Sequence, residues 1–341
     1  MTVQQTVTPF ISILIPCYNE ERFIQQCLES ILSNDYPTDK IEILVMDGMS
    51  TDRTREILET MQHAYNCIRI FDNDGRNKSR ALNIGIQNAQ GDILMRMDAH
   101  AIYDKKYISE CVTALVAKDV DNVGGIRKTL PGNNSILGKS IAYSLQNKFA
   151  VGNSSYRTGA DRPILTNIIF LFCCRKELFE RVGLFDERLA RGQDREFNLR
   201  LYNNACKMLQ LPTAISYYYA RSELTKFIHW IFVGGMVPVM ITRITGKNLL
   251  SFRNGIPTLF LLSLLSILSL SLFNSFFLLI LDGFILLYFI CSILFSISIV
   301  KKEKNPAYLI SMGVVFFLTH IVYGAGFLFG FTRKITEDPC V

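Results

Sequence analysis

Charge is what the last third of this 341-residue chain lacks: residues 254–300 hold a single charged side chain, Asp282, whereas residues 1–253 carry 31 Lys/Arg and 26 Asp/Glu. An apolar stretch of that length is too long for a surface segment and marks membrane helices. The first part is long enough for one large or two small soluble cores. The nine cysteines include no CxxC pair, and only four histidines could complete a zinc set, so we expect a reducing compartment and no structural zinc. No GxGxxG follows the first apolar run, where the sequence is PCYNEE, and hydride transfer on a dinucleotide loses its main support. GxxxxGK[ST] and GxSxG are missing too, which removes the standard NTPase phosphate loop and the nucleophile elbow. The net charge of +6 comes without a Lys/Arg block or aromatic-basic interleaving, so no nucleic-acid partner is expected. An anionic membrane surface or a phosphorylated small molecule would suit that charge equally well. The start MTVQQTVTPF shows no basic segment followed by an apolar one, and the polar part is expected to stay in the cytoplasm.

What is present alternates in a regular way. FISILI (10–15), IEILVM (41–46), CIRIF (67–71) and DILMRM (92–97) read as strands. Helices at 21–33, after the Ser50-Thr51-Asp52 cap, and at about 78–89 lie between them. This alternation predicts an α/β fold, a mostly parallel sheet with helices on both faces, and ligands then bind beyond the carboxyl ends of the strands. The polar clusters CYNEE, DGMSTD and DAH fall at those ends. From 120 to 220 the pattern loosens, with a helix at 137–149, a strand over LTNIIFLFCC (165–174) and a helix over QDREFNLRLYNNA (193–205), read as a second half of the same domain.

Residues 223–253 include FIHWIFVGGMVPVMI, which is interrupted by Gly234-Gly235 and Pro238 and is short for a span. Interfacial helices are expected there, with Trp230 near the headgroups. Three apolar segments follow in 254–341, at about 256–273, 276–299 and 306–331, giving two to three transmembrane helices. Lys301, Lys302 and Lys304 between the last two agree with a cytoplasmic catalytic domain over 1–222 in a multi-pass protein of the cytoplasmic membrane. Arg333 and Lys334 fit a three-span count poorly. Asp282 reads as an outer-interface residue, as a group acting inside the membrane, or as a sign that the helix boundary lies elsewhere.

Several constellations carry chemistry. Asp98 and His100 follow a buried strand and could meet one Mg²⁺ or Mn²⁺ that neutralises a diphosphate; the alternative is an Asx cap beside a polar loop histidine. Asp47 ends the second strand, where a carboxylate can accept from a base or ribose. Arg76, Lys78 and Arg80 sit beside a helix start and could hold a phosphate, or be merely solvated. Asp186, Glu187, Asp194 and Glu196 interleave with Arg188, Arg191 and Arg195. Asp194 at a helix start could take a proton from an acceptor hydroxyl, or the group could be a surface ion-pair network. Cys173-Cys174, inside an apolar strand, read as inert thiols.

Four motifs in order resemble the family 2 glycosyltransferases: ISILIPCYNEE (core at 12–21), VMDGMSTDRT (45–54), GRNKSRALNIGIQNAQGDILMRMDAH (75–100) and VGLFDERLARGQDREFNLRL (182–201). The chain looks most like membrane-attached bacterial enzymes of exopolysaccharide synthesis, the succinoglycan group among them. The resemblance implies a GT-A-like nucleotide-diphospho-sugar fold and inverting transfer from a nucleotide sugar, with a UDP-sugar first in line, to a lipid-linked glycan at the membrane. It implies a donor pocket of Pro16, Asn19, Glu20, Asp47, Asp74, Arg80 and Asp98, a Mn or Mg ion on Asp98 and His100, and Asp194 as the base. Gln193, Arg195, Lys226 and Trp230 would stand on the acceptor and lipid side. The sequence departs from the family in having His100 where a carboxylate is usual and Gln193 where glutamate precedes the base. It also lacks the QxxRW of processive synthases, which argues for one sugar per acceptor. Two further readings compete: a polyprenyl-phosphate sugar transferase, which needs no base, and a non-catalytic nucleotide-sugar-binding subunit.

Overall fold

The computed structural model describes residues 8–333. The N-terminal MTVQQTV and the tail with Lys334, Glu337, Asp338 and Cys340 lie outside the described residues, and so does the leader reading made on that start. The chain divides into two compact units, 1–128 with 159–218 and 129–158 with 219–341.

In chain order the first unit begins β1 (Ile11–Cys17), α1 (Ile24–Leu32), β2 (Ile41–Asp47), α2 (Thr54–Ala64), β3 (Ile68–Asp72), α3 (Lys78–Asn88), β4 (Ile93–Arg96), β5 (Ala101–Tyr103), α4 (Tyr107–Ala117) and β6 (Asn122–Leu130). The excursion into the second unit carries α5 (Ile136–Ser144), α6 (Lys148–Val151) and α7 (Ser155–Thr158). The chain then returns as β7 (Ile164–Leu165), β8 (Cys173–Arg175), α8 (Glu177–Val182), α9 (Gln193–Asn203) and β9 (Met208–Tyr219). The sheet runs β3-β2-β1-β4-β8-β6-β9-β5, with β7 on β9. The expected alternation builds its parallel half: β1 pairs in parallel with β2 and β4, and β2 with β3. The pairs β4–β8, β6–β8, β5–β9 and β7–β9 are antiparallel and make the sheet mixed.

Every residue of β1 and β2 is buried, because helices cover both faces. On one face Ile13, Ile15 and Val45 pack with Cys27, Leu28 and Leu58, and on the other Leu14, Leu44 and Met46 pack with Leu82 and Ile86. At the amino ends of these strands the buried Glu42 carboxylate accepts from Ser12 Oγ at 2.5 Å, Gln90 N at 2.6 Å and Arg69 Nη1 at 2.9 Å. That charge is fully answered, as a buried carboxylate requires.

The expected strand over 165–174 is the main local departure. Only Ile164–Leu165 and Cys173–Arg175 are strand. Between them the backbone turns to other partners: Ile169 exchanges both main-chain bonds with the Asn198 amide at 2.9 Å, and Phe172 O accepts from Arg96 N. The Phe172 ring joins Phe179, Phe185 and Phe197 in one cluster. Cys173 and Cys174 are buried, and burial pushes both thiols up. The expected helix at 137–149 is broken into α5 and α6, with Asn147 capping the second through a bond from Phe149 N.

The second unit adds α10 (Leu224–Thr245), α11 (Phe252–Ser271), α12 (Phe276–Glu303) and α13 (Ala307–Thr332). All four are long and apolar enough to cross a membrane, so this is a multi-pass membrane protein. Three of them correspond to the expected segments. The fourth, α10, runs unbroken through Gly234-Gly235 and Pro238, where punctuation suggested a shorter element. One of those glycines is a packing site: a Cβ on Gly235 would lie 2.2 Å from Tyr323 O, and one on Gly326 of α13 would lie 2.0 Å from Phe232 O. Small residues let membrane helices approach this closely. Asp282 lies in the second turn of α12, exposed.

Gly326→Ala should therefore force α10 and α13 apart and cost about 1–3 kcal/mol, read as a lower denaturation midpoint in detergent. Gly283→Ala, where an added Cβ meets nothing within 4 Å, should cost nothing measurable.

Candidate active site

The loops after the parallel strands are stitched together by their own polar side chains. Asn19, held at a left-handed φ of 52°, donates its backbone N–H to Ser50 Oγ at 2.9 Å and accepts Thr51 N on Oδ1 at 2.8 Å. Glu20 N donates to Thr54 Oγ1 at 2.8 Å. Asp52 caps the start of α2 through Thr54 N. The buried Asp47 carboxylate accepts from Ser50 N at 3.2 Å and Ser50 Oγ at 2.6 Å, with Arg55 Nη1 3.6 Å from its other oxygen. Its carbonyl accepts Asn73 N, which draws in the end of β3. Pro16 is buried within β1. Asp74 is exposed and pairs with Arg80 at 2.6 Å. All six of these expected donor-side residues thus cluster on the carboxyl ends of β1–β3 and the start of α3.

Asp98 is the electrostatic centre. It is 4% exposed, and three donors converge on Oδ1: Lys78 Nζ at 2.9 Å, Arg96 Nη2 at 2.9 Å and Arg96 Nε at 3.3 Å. Its backbone N–H donates to Tyr103 Oη at 2.6 Å. Burial pushes the Asp98 carboxyl up, but Arg96 and then Lys78 overcome that and hold it well below the usual carboxylate range. Oδ2 receives no hydrogen bond from a described residue. His100 Nδ1 lies 2.8 Å from Glu20 Oε1. With the Glu20 carboxylate accepting, Nδ1 is the donor of this bond and Nε2 is the nitrogen left for a metal ion, the second-sphere arrangement typical of a metal-binding histidine. Glu20, expected in the base pocket, is thus brought to His100. Among the described residues no three His, Cys, Asp or Glu side chains gather to hold an ion. Asp98 and His100, close enough for their charges to interact, would suit a Mg²⁺ or Mn²⁺ only if its remaining ligands came from outside the chain.

Asp194 belongs to the same neighbourhood. It is the second residue of α9, behind Gly192 at a left-handed φ of 79°. Asn198 Nδ2 donates to Asp194 O at 2.7 Å and to Ile169 O, tying the helix start to the segment that abuts β4. Burial opposes the charge on Arg96, and Asp98 followed by Asp194 overcomes it and raises the guanidinium's pKa. The other acids nearby are spent elsewhere: Asp186 on Arg188, Glu196 on Arg200, and Glu187 on Asn83 of α3. The half-buried Asp194 carboxylate alone has no hydrogen bond or ion pair with a described residue. Gln193 is buried and Arg195 half-buried beside it. Trp230 and Lys226 belong to the second unit, where Lys226 pairs with Glu223.

Sequence reasoning passed over Arg96 entirely. The signal was there: an arginine in the middle of the apolar run DILMRM needs a buried counter-charge.

A model of glycosyl transferase family 2 matches residues 12–183. The chain belongs to that family. Across nearly its whole length this family 2 glycosyltransferase is 31% identical to dolichyl N-acetyl-alpha-D-glucosaminyl phosphate 3-beta-D-2,3-diacetamido-2,3-dideoxy-beta-D-glucuronosyltransferase of Methanococcus voltae, over 95% of this chain and 98% of that one. It is 29% identical to the succinoglycan biosynthesis protein ExoA of Rhizobium meliloti, over 65% of this chain and 66% of the other. The succinoglycan likeness is therefore one among several spread over bacteria and archaea. The mannosyltransferase PcManGT from Pyrobaculum calidifontis, solved with GDP-Man and Mn²⁺, shares the fold at a TM-score of 0.55 and 19% identity, covering 92% of this chain and 86% of that one. The GT-A-like fold expected from the motifs is the one observed, and family membership makes the chain a nucleotide-sugar-dependent transferase.

Glu20→Gln should loosen the orientation of His100 and raise the Mn²⁺ concentration needed for half-maximal activity by about 10–100-fold, with little change at saturating metal. A metal titration of sugar transfer checks this.

Proposed function

We propose that this enzyme transfers one sugar, with inversion, from a nucleoside-diphosphate donor to a lipid-linked glycan at the cytoplasmic face of the membrane, in exopolysaccharide or other surface-glycan synthesis. A UDP-sugar is the first donor to try. The observation that carries the reading is the pairing of a tightly held carboxylate, Asp98, with an unpartnered one, Asp194, across the shared Arg96.

In this reading the donor's nucleoside lies over Asp47, Asn19 and Pro16, and its diphosphate reaches Asp98. A divalent cation held by Asp98 and His100 would neutralise the departing diphosphate. Asp194 removes the proton from the acceptor hydroxyl as that oxygen attacks the anomeric carbon, and the bond to the nucleoside diphosphate breaks on the opposite side. Arg96, bonded to Asp98, holds that carboxylate ionised and also carries positive charge toward Asp194. The family relatives support the substrate classes: the Methanococcus protein's name describes a dolichyl-phosphate-linked amino sugar as acceptor, and the Pyrobaculum fold relative was solved with GDP-Man and Mn²⁺.

The division of charge supports a lipid-bound anionic acceptor. The first unit carries 23 Lys/Arg and 25 Asp/Glu, whereas the second, up to residue 333, carries 12 Lys/Arg and only three Asp/Glu. Three carboxylates cannot neutralise twelve cations, so anions from outside the chain are the natural complement. Arg157 is the best-framed of these cations. Its guanidinium lies 5.3 Å from the Tyr156 ring and 5.7 Å from the Trp230 ring, and it makes no ion pair with a described residue. A cytoplasmic orientation draws support from Lys139 and Tyr143 of α5, which bond Glu303 and so place Lys301 and Lys302 beside the excursion from the catalytic unit.

A screen of UDP-, GDP- and dTDP-sugars against extracted lipid-linked intermediates, with mass spectrometry of the product lipid, tests the reading; no transfer from any donor would refute it. Asp194→Asn should lower kcat about 10²–10⁴-fold with donor KM little changed. Unchanged turnover would instead indicate a bare polyprenyl phosphate as acceptor, which needs no base. Arg157→Gln should raise KM for the lipid-linked acceptor about tenfold or more and leave donor KM unaltered.

A further inference from the structure

The Lys78 ammonium lies 2.9 Å from Oδ1 of Asp98, the carboxylate that the transferase reading gives to a metal ion. Lys78 is the first residue of α3, and α3 is firmly held: Asn77 caps it through Ser79 N at 2.7 Å, Ser79 Oγ bonds Leu189 O at 2.7 Å, and Asn83 exchanges bonds with Phe185 at 2.9 Å. The helix is rigid, whereas the four-carbon stem of lysine is flexible. The two cations on Asp98 Oδ1 differ in kind. Arg96 is 4% exposed and comes from within the sheet; Lys78 is 30% exposed and comes from the start of α3. One cation is therefore structural, and the other can leave.

We propose, on the basis of the transferase reading above, that Lys78 is a placeholder for the divalent cation. In the donor-free enzyme it neutralises Asp98 and keeps the free metal weakly bound. When a nucleoside diphosphate enters, its phosphate oxygens draw the ammonium off the carboxylate and complete the metal's ligand set. Cation and donor then bind as one unit, and the metal's absence does not leave a bare buried carboxylate. The two protein ligands alone, Asp98 and His100, are too few to compete with a lysine already in contact. Lys78 acts here through Asp98 and is a positioning residue.

The experiment is a Mn²⁺ titration of the detergent-solubilised full chain, followed by the loss of the free-ion EPR signal, with and without UDP or GDP. In the native protein, nucleotide should tighten Mn²⁺ binding at least about tenfold. Lys78→Met should tighten binding of Mn²⁺ alone by a similar factor, and Lys78→Arg, which keeps the charge, should not. Native protein that binds Mn²⁺ equally well without nucleotide overturns the proposal whether or not the variants fold, and so does a folded Lys78→Met that binds the lone ion no more tightly. Nucleotide bound with no Mn²⁺ taken up in any form also overturns it. Failure to bind any nucleoside diphosphate sinks the transferase reading as well, which separates the two failures.

Discussion

A buried guanidinium needs a carboxylate, and in this enzyme that need fixes the candidate site. Arg96 lies within an apolar strand at 4% exposure, where an unpaired charge would cost several kcal/mol. Asp98, two residues on, answers it at 2.9 Å, and Tyr103 clamps the Asp98 backbone. The carboxylate that faces the diphosphate in our reading is therefore held in place by the folding of the sheet, ahead of any ligand. Such preorganisation is what electrostatic catalysis requires. The same guanidinium answers to Asp194 and so makes one electrostatic unit of groups that lie 98 residues apart in the chain.

Much of this was legible in the sequence where local pattern and chemistry agree. The four parallel strands announce themselves as apolar runs ending in polar clusters, and the last three helices as long stretches nearly free of charge. The antiparallel half was not legible, because β6 and β9 are long strands of mixed composition and their pairing is set by distant partners. The run 165–174 misled for a physical reason: its apolar residues are buried by an aromatic cluster, while its backbone bonds go to Asn198 and Arg96. At the site, residue types at strand ends pointed to Asp47, Asp98 and His100, and a carboxylate at a helix start pointed to Asp194. What spacing could not reveal was the pairing of Glu20 with His100, since loop-to-loop contacts across 80 residues leave no local periodicity.

The membrane unit shows a different gap between chain and fold. Counted along the sequence, positive charge looks evenly spread and modest. Counted by compact unit, it collects almost wholly on the membrane side, because the excursion 129–158 brings three cations and no carboxylate with it. Gly234-Gly235 within α10 looked like punctuation, but Gly235 serves as a contact point, since in a bilayer close backbone approach is a source of packing energy.

That excursion also bears on how the protein could be divided. The main chain passes between the two units three times, at 128/129, 158/159 and 218/219. Ile141, Ala142 and Leu145 of the excursion are buried against Phe227, Ile231 and Val315, and Phe149 lies among Phe295, Phe316 and His320. Cutting the chain after residue 222 would leave the nucleotide-sugar half with a greasy, cationic loop of thirty residues stripped of its cover. Solubility of the transferase thus depends on its anchor.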